Sequence, residues 1–162
     1  MLVNTGSTSS RAAGHPKETG FTLIEAMVVI AILGILVALA APSFSNTIAT
    51  MRIKSISFDL VNDLNTARSE AIKRNADVVI SAVGGEWKQG WSITTGATTL
   101  KSHEPLSESI AVESAVTAIN FQGNGRPTAE TALTITSTLT GVSPRCVKLQ
   151  ASGSAQSEAC PS

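Results

Sequence analysis

An apolar run of 21 residues that carries a single charge, Phe21–Ala41, constrains this chain more than any other feature. As a helix it would be about 30 Å long, which matches the hydrocarbon core of a bilayer. Its one charged residue, Glu25, is costly in lipid, and an ionisable group placed there indicates a function and a partner. The preceding residues are polar and lack the apolar core and small-residue cleavage site of an ordinary secretory signal. The sequence therefore predicts a polar leader over 1–20 and a membrane-spanning helix over 21–42.

The order of residues at this junction is specific. Gly20-Phe21-Thr22-Leu23-Ile24-Glu25, preceded by Lys17, resembles the class III signal of type IV prepilins and type II secretion pseudopilins. The resemblance implies that a prepilin peptidase cleaves between Gly20 and Phe21 and that Phe21 is N-methylated. It also implies that Glu25 neutralises the amino terminus of an adjacent subunit during assembly, since two charges that are each costly in lipid become tolerable when paired. The alternative is a plain signal anchor with an incidental glutamate.

The charges of the leader predict the orientation of the chain. Arg11 and Lys17 precede the apolar run, and the positive-inside rule keeps such residues in the cytoplasm. We therefore expect a single-pass membrane protein whose leader is cytoplasmic and whose globular domain is exported. The resemblance implies that the membrane is the bacterial inner membrane and that the globular domain is periplasmic. The resemblance implies that the subunit then enters a pilus or pseudopilus filament, at its tip.

The helix is predicted to continue beyond Pro42 as an amphipathic segment over 43–75. Apolar residues recur there at spacings of three to five. They are Ile48, Ile53, Ile56, Leu60, Leu64, Ala67 and Ala71. Asp59, Asp63 and Glu70 alternate with basic neighbours, which predicts a solvated face for these carboxylates. One helix from about Phe21 to Asn75 is expected.

After Asn75 the pattern changes to a period of two, typical of strands. Glycine-containing turns separate the strands and are centred on 84–85, 123–125 and 140–141. The predicted strands are Asp77–Val83, Trp87–Ile93, Ser109–Glu113, Val116–Phe121, Thr131–Ser137 and Arg145–Gln150. His103 is placed in a loop. The expected fold class is α+β, with the long helix packed on an antiparallel sheet in a globular domain over 76–162.

Two cysteines, Cys146 and Cys160, lie near the C-terminal end of the exported part. An even number of cysteines in an oxidising compartment favours a disulfide. In the chain-entropy model, a disulfide that closes this loop would stabilise the fold by roughly 3 kcal/mol. The alternative is a pair of unlinked thiols.

Two further segments resemble the GspH/FimT branch of this family. They are Trp87-x-x-Gly90-Trp91, and Phe121 followed by Gly125-Arg126-Pro127. The resemblance implies the pilin fold and a structural subunit, which is a minor pilin that helps to prime or cap a pilus. A minor pseudopilin of a type II secretion system is the first alternative. The implied partners are other pilins in a filament, the inner membrane and the prepilin peptidase.

The sequence predicts no enzyme, no catalytic residue, no cofactor and no metal site. It contains no CxxC or Cys/His ligand spacing and no Gly-x-Ser-x-Gly elbow. Gly123-x-Gly125 is followed by Pro127 and a strand-like pattern, so no helix N-terminus is available there for a phosphate.

DNA binding is the second alternative, because some FimT-type proteins are thought to bind DNA through a C-terminal Gly-Arg-x-Arg pattern. Here Ser154 and Gln156 stand where those arginines are expected after Gly153. The remaining candidate DNA contacts are Arg126, Arg145 and Lys148. Three cations neutralise few phosphates, so this binding would be weak and sensitive to salt.

Overall fold

The computed structural model describes residues 20–161, without the side chains of residues 40–43. Most of the predicted leader, including Arg11 and Lys17, lies outside the described residues. One 52-residue helix, α1 (Leu23–Arg74), opens the described chain. The Glu25 N–H donates to Thr22 Oγ1 at its start, and Lys73 and Arg74 lie in its last turn, where cations suit the helix dipole. Asn75 ends it with a φ of 49°.

The chain divides into two compact units, with the boundary between Leu39 and Ala40. In the first unit every described side chain, from residue 20 to residue 39, is exposed. This stretch of α1 is long and apolar enough to cross a membrane by length and composition. A helix that is apolar on all sides is stable only when lipid or other protein surrounds it.

The second unit contains two antiparallel four-stranded sheets, where the sequence predicted one. The first sheet has the order β3-β2-β1-β5 and the second has the order β4-β6-β7-β8. The strands are β1 (Val78–Ala82), β2 (Trp91–Thr95), β3 (Thr98–His103), β4 (Ile110–Ser114), β5 (Ala118–Phe121), β6 (Thr131–Ser137), β7 (Arg145–Leu149) and β8 (Ala155–Ala159). Together with α1 they form the expected α+β pilin fold.

Three expectations about these elements were wrong in detail. Residues Trp87–Gln89 form a 3₁₀ turn, so β2 begins only at Trp91. His103 lies in strand β3, and β8 was not predicted at all. The two strands that were not predicted, β3 and β8, are polar and lie at the edge of a sheet. The backbone of an edge strand is hydrogen-bonded to a neighbouring strand on one side only, and its side chains need not alternate between apolar and polar.

The core of the second unit lies between one face of α1 and both sheets. Helix residues at intervals of three and four supply one side, and inward-facing strand residues supply the other. The fully buried members include Ile53, Leu60, Leu64, Ala67 and Ala71 from the helix, and Ile80, Trp91, Phe121, Leu133, Ile135 and Val147 from the sheets. The predicted apolar stripe of the amphipathic half is therefore the core face, apart from Ile48, which is exposed.

Candidate functional site

The predicted processing and assembly residues lie together at the start of α1. Gly20 and Phe21 precede the first helical residue, and Glu25 lies in the first turn. All three are exposed, and within residues 20–161 no cation lies within salt-bridge distance of Glu25. The chain thus presents an exposed Gly20–Phe21 junction and, within residues 20–161, a carboxylate without a cationic partner at the N-terminal end of an apolar helix.

Asp63 is a buried carboxylate that sequence reasoning placed on a solvated face. It is 1% exposed; its Oδ2 accepts a hydrogen bond from Trp91 Nε1 at 2.8 Å, and its Oδ1 accepts from Lys101 Nζ at 2.5 Å. A buried carboxylate is tolerated when it is paired and hydrogen-bonded. The prediction was wrong because one of the partners, Lys101, lies in strand β3, which the sequence analysis did not predict. The available signal was its position next to Leu64 in the core stripe.

The other two carboxylates of the helix behave differently. Asp59 is exposed, as expected. Glu70 is partly exposed and pairs with Lys73 and Arg74. Arg74 Nε lies 2.6 Å from Glu70 Oε2. This hydrogen bond is the largest cause that lowers the pKa of the Glu70 carboxyl below its ordinary value.

The motif Trp87-x-x-Gly90-Trp91 is built into the same corner of the domain. The Trp91 ring stacks on His103 with centroids 3.9 Å apart, and Trp87 Nε1 donates to the Val116 carbonyl. Gly90 has a φ of 88°, and a Cβ there would lie 2.2 Å from the His103 carbonyl oxygen. The motif therefore packs two strand ends tightly and exposes no reactive group.

A disulfide joins Cys146 in β7 to Cys160 just after β8, 14 residues further along the chain. It closes the hairpin whose outer strand is the polar edge strand β8. The bond therefore holds the C-terminal strand in the second sheet.

The three candidate DNA contacts are not brought together as one free patch. Arg145 donates from Nε and Nη2 to Ser157 on the face where Val147 and Leu149 are buried. Lys148 lies on the opposite face of β7, because alternate residues of a strand point to opposite sides, and it pairs with Glu158. Arg126 is exposed in the turn after β5.

The described residues offer little for small-molecule chemistry. Within residues 20–161 no group of three His, Cys, Asp or Glu side chains could hold a metal ion. An open groove of about 380 Å³ runs between residues 85–88 and β4, and its lining includes Glu86, Lys88, Glu113 and Ser114 but no histidine or cysteine.

Comparison with known proteins identifies two sequence families. The profile described as "Type II transport protein GspH" matches residues 59–153, and the "Prokaryotic N-terminal methylation motif" matches residues 15–41. The second match spans the Gly20–Phe21 junction and Glu25.

Curated relatives include pilins. The chain is 33% identical over 93 residues to a type IV major alpha-pilin of Moraxella bovis, covering 57% of this chain and 58% of the relative. It is 40% identical over 65 residues to a fimbrial protein of Pseudomonas aeruginosa, covering 40% of this chain and 42% of the relative. The chain thus spans less than two thirds of the length of these relatives.

Solved structures share the fold. The type IV minor pilin FimU of Pseudomonas aeruginosa matches with a TM-score of 0.58 at 22% identity, over 67% of this chain and 88% of that one. The minor pseudopilin EpsH of the Vibrio cholerae type 2 secretion system matches with a TM-score of 0.54 at 14% identity, over 67% of this chain and 97% of that one.

Proposed function

This chain belongs to the GspH family of type II transport proteins, and from that premise we propose that it is a minor pilin that helps to prime or cap a type IV pilus. It is a membrane-anchored, filament-associated structural subunit like the type IV minor pilins and pseudopilins. The observation that carries the finer proposal is the exposed apolar first unit with Glu25 in its first helical turn. Such a surface must be covered by lipid before assembly and by other subunits in the filament.

The proposed sequence of events begins with processing. A prepilin peptidase cleaves after Gly20, and Phe21 becomes the methylated amino terminus. The apolar helix holds the subunit in the inner membrane, with the second unit in the periplasm. Glu25 then pairs with the amino terminus of an adjacent subunit, which neutralises both charges in a medium of low dielectric. The subunit enters the filament at its tip.

Replacement of Glu25 tests this proposal. In cells that assemble filaments, we expect Glu25→Gln to leave the amount of membrane-bound and N-methylated protein unchanged, and to remove the subunit from sheared filaments. Mass spectrometry of the N-terminal peptide measures processing, and immunoblots of sheared filaments measure incorporation. Asp59→Gln is the matched control, since it removes an exposed carboxylate elsewhere on the same helix. Normal incorporation of the Glu25 variant would refute the proposed pairing.

A minor pseudopilin of a type II secretion system is the second candidate. The GspH profile match and the fold shared with EpsH support it. The matches to a major pilin and to fimbrial proteins support the pilus instead. Crosslinking in cells followed by mass spectrometry distinguishes the two, because pilus subunits are the expected neighbours in one case and secretion-system subunits in the other.

A further inference from the structure

A small cavity in the second unit lies between α1 and the ends of β7 and β8 that face each other in the ladder. Its volume is about 80 Å³, which equals the space of roughly five to eight waters at about 10–15 Å³ each. The lining consists of Thr50 and Lys54 from the helix, Ser143, Pro144 and Arg145 before and at the start of β7, and Ala159 at the end of β8. Two of these side chains are cations, two carry hydroxyls, and none of the described lining residues is a carboxylate. The lining is therefore positively charged.

The two cations of this lining have no anionic partner in the described part of the chain. Within residues 20–161, neither Lys54 nor Arg145 has a carboxylate within salt-bridge distance. Arg145 uses Nε and Nη2 for its hydrogen bonds to Ser157, and its Nη1 has no acceptor among the described residues. Two cations beside one small space repel each other, and an anion between them removes that repulsion. The cavity thus offers free N–H donors and positive charge to a small anion.

A chain of hydrogen bonds across β7, β8 and α1 holds the Arg145 guanidinium in place. Its Nη2 donates to the Ser157 hydroxyl at 3.0 Å. That hydroxyl donates to the hydroxyl of the fully buried Ser57 at 3.0 Å, and Ser57 donates to the Lys54 carbonyl at 2.7 Å. The disulfide between Cys146 and the residue after β8 fixes the two strands beside each other. Donors that are ordered before a ligand arrives reduce the entropy cost of binding, so this side of the cavity is organised in advance.

We propose that this cavity binds the phosphate group of an anionic ligand. A guanidinium and an ammonium are the two donors that proteins use most for phosphate oxygens, and a tetrahedral phosphate has enough charged oxygens to accept from both. A carboxylate has fewer oxygens for the same donors. Two sources of phosphate are available to a membrane-anchored chain, which are soluble phosphate and the headgroup of a phospholipid. The inference goes beyond the proposed function, because it does not depend on entry into a filament.

Binding of inorganic phosphate to the full-length chain tests the site. The chain is kept in a glycoside detergent, which contains no phosphate, and calorimetric titration at constant ionic strength measures binding. We expect saturable binding at one site per chain. Lys54→Gln is expected to weaken it at least about tenfold, because this variant loses a charge-assisted hydrogen bond. Arg52→Gln is the matched control: it removes an exposed cation of the same helix that does not line the cavity, and it should change the affinity less than about twofold.

A competition experiment identifies the source of the phosphate. Phosphatidylglycerol is added to the micelles, and diacylglycerol, which has the same acyl chains without a phosphate, is the control. If phosphatidylglycerol alone displaces inorganic phosphate, the ligand is a lipid headgroup. If neither lipid displaces it, the ligand is soluble phosphate.

A second set of variants separates phosphate binding from the stability of the fold. Ser157→Ala removes the hydroxyl that orients the Arg145 guanidinium, so the affinity for phosphate is expected to fall several-fold. Ser157→Thr keeps a hydroxyl and should restore most of the affinity. Lys54 is exposed, so Lys54→Gln should leave the melting temperature in the absence of phosphate within about 2 °C of that of the natural chain.

Several results would overturn the inference. The first is that the natural chain binds neither inorganic phosphate nor phosphatidylglycerol in a saturable way. The second is an equal loss of affinity in Lys54→Gln and Arg52→Gln, which would show non-specific attraction of anions to a basic surface. The third is acetate binding as tight as phosphate binding. Glu25→Gln should leave phosphate binding unchanged, so the proposed function and this inference can fail separately.

Discussion

Asp63 on α1 and Trp91 on β2 are joined by a buried hydrogen bond of 2.8 Å between residues 28 positions apart in the sequence. Lys101 on β3 reaches the other oxygen of the same carboxylate. One side chain of the helix thus connects to two adjacent strands of the first sheet. The carboxylate is buried, whereas Lys101 is about half exposed. The hydrogen bond to Trp91 therefore contributes more to the stability of this corner than the ion pair with Lys101.

Replacement of Asp63 by alanine is expected to lower the free energy of unfolding by about 3 kcal/mol, because it leaves the buried Trp91 N–H without an acceptor and removes the partner of Lys101. Asp63→Asn keeps one acceptor and should cost about 1 kcal/mol. Thermal or urea unfolding of the full chain in detergent measures both. Asp59→Ala, at an exposed position, is the control and should change stability by less than about 0.5 kcal/mol. An Asp63→Ala variant as stable as this control would show that the network contributes nothing.

The sequence predicted helices and strands correctly where apolar residues recur with a single period throughout a segment. The apolar run before Pro42 and the stripe from Ile53 to Ala71 predicted a helix that the structure has at Leu23–Arg74, and alternation predicted strands such as Thr131–Ser137 to the residue. These signals are local, so one sequence is enough to read them.

The errors have a different physical origin. Strands β3 and β8 are edge strands with polar residues, and their sequences resemble loops because their outer sides face water. The burial of Asp63 depends on Trp91 and Lys101, which are 28 and 38 residues away. Such pairing depends on sheet order and register, which periodicity does not encode. Residues 1–19, which contain most of the predicted leader, lie outside the described residues.

The disulfide gives a redox-dependent prediction. The double variant Cys146→Ser, Cys160→Ser is expected to lose about 3 kcal/mol of stability under oxidising conditions, since it removes a cross-link over 14 residues. Adding a reductant to the natural chain should lower its melting temperature to that of the variant. The variant itself is the control, because reductant should not move its melting curve. Equal melting temperatures of the natural and variant chains without reductant would contradict the prediction.

The placement of the cations predicts weak DNA binding. Arg145 is engaged with Ser157, and Lys148 is paired with Glu158 on the other face of β7. Few phosphates can be neutralised at once, so the slope of log affinity against log salt should be no steeper than about −2. Fluorescence anisotropy with duplex DNA at about 50 mM and about 200 mM salt measures it. Tight binding at the higher concentration, lost in Lys148→Gln, would contradict this expectation. Glu158→Gln frees Lys148 and serves as the matched variant.

Gly125, the first residue of the Gly125-Arg126-Pro127 segment, tests how this motif is held against the helix. Its φ is 77°, and a Cβ there would lie 2.5 Å from Ile72 Cδ1 on α1. Gly125→Ala therefore combines backbone strain with a steric clash, and we expect a loss of about 2–3 kcal/mol. Gly84→Ala is the matched control for strain alone, because Gly84 has a φ of 61° and open space around it, and it should cost only about 1 kcal/mol.

Adding Ile72→Ala relieves the clash, so in a double-mutant cycle Gly125→Ala should cost no more than Gly84→Ala once Ile72 is truncated. Urea unfolding of the four chains measures the coupling. A coupling energy of zero would show that the turn does not pack against Ile72, and that the glycine is required by its backbone angle alone.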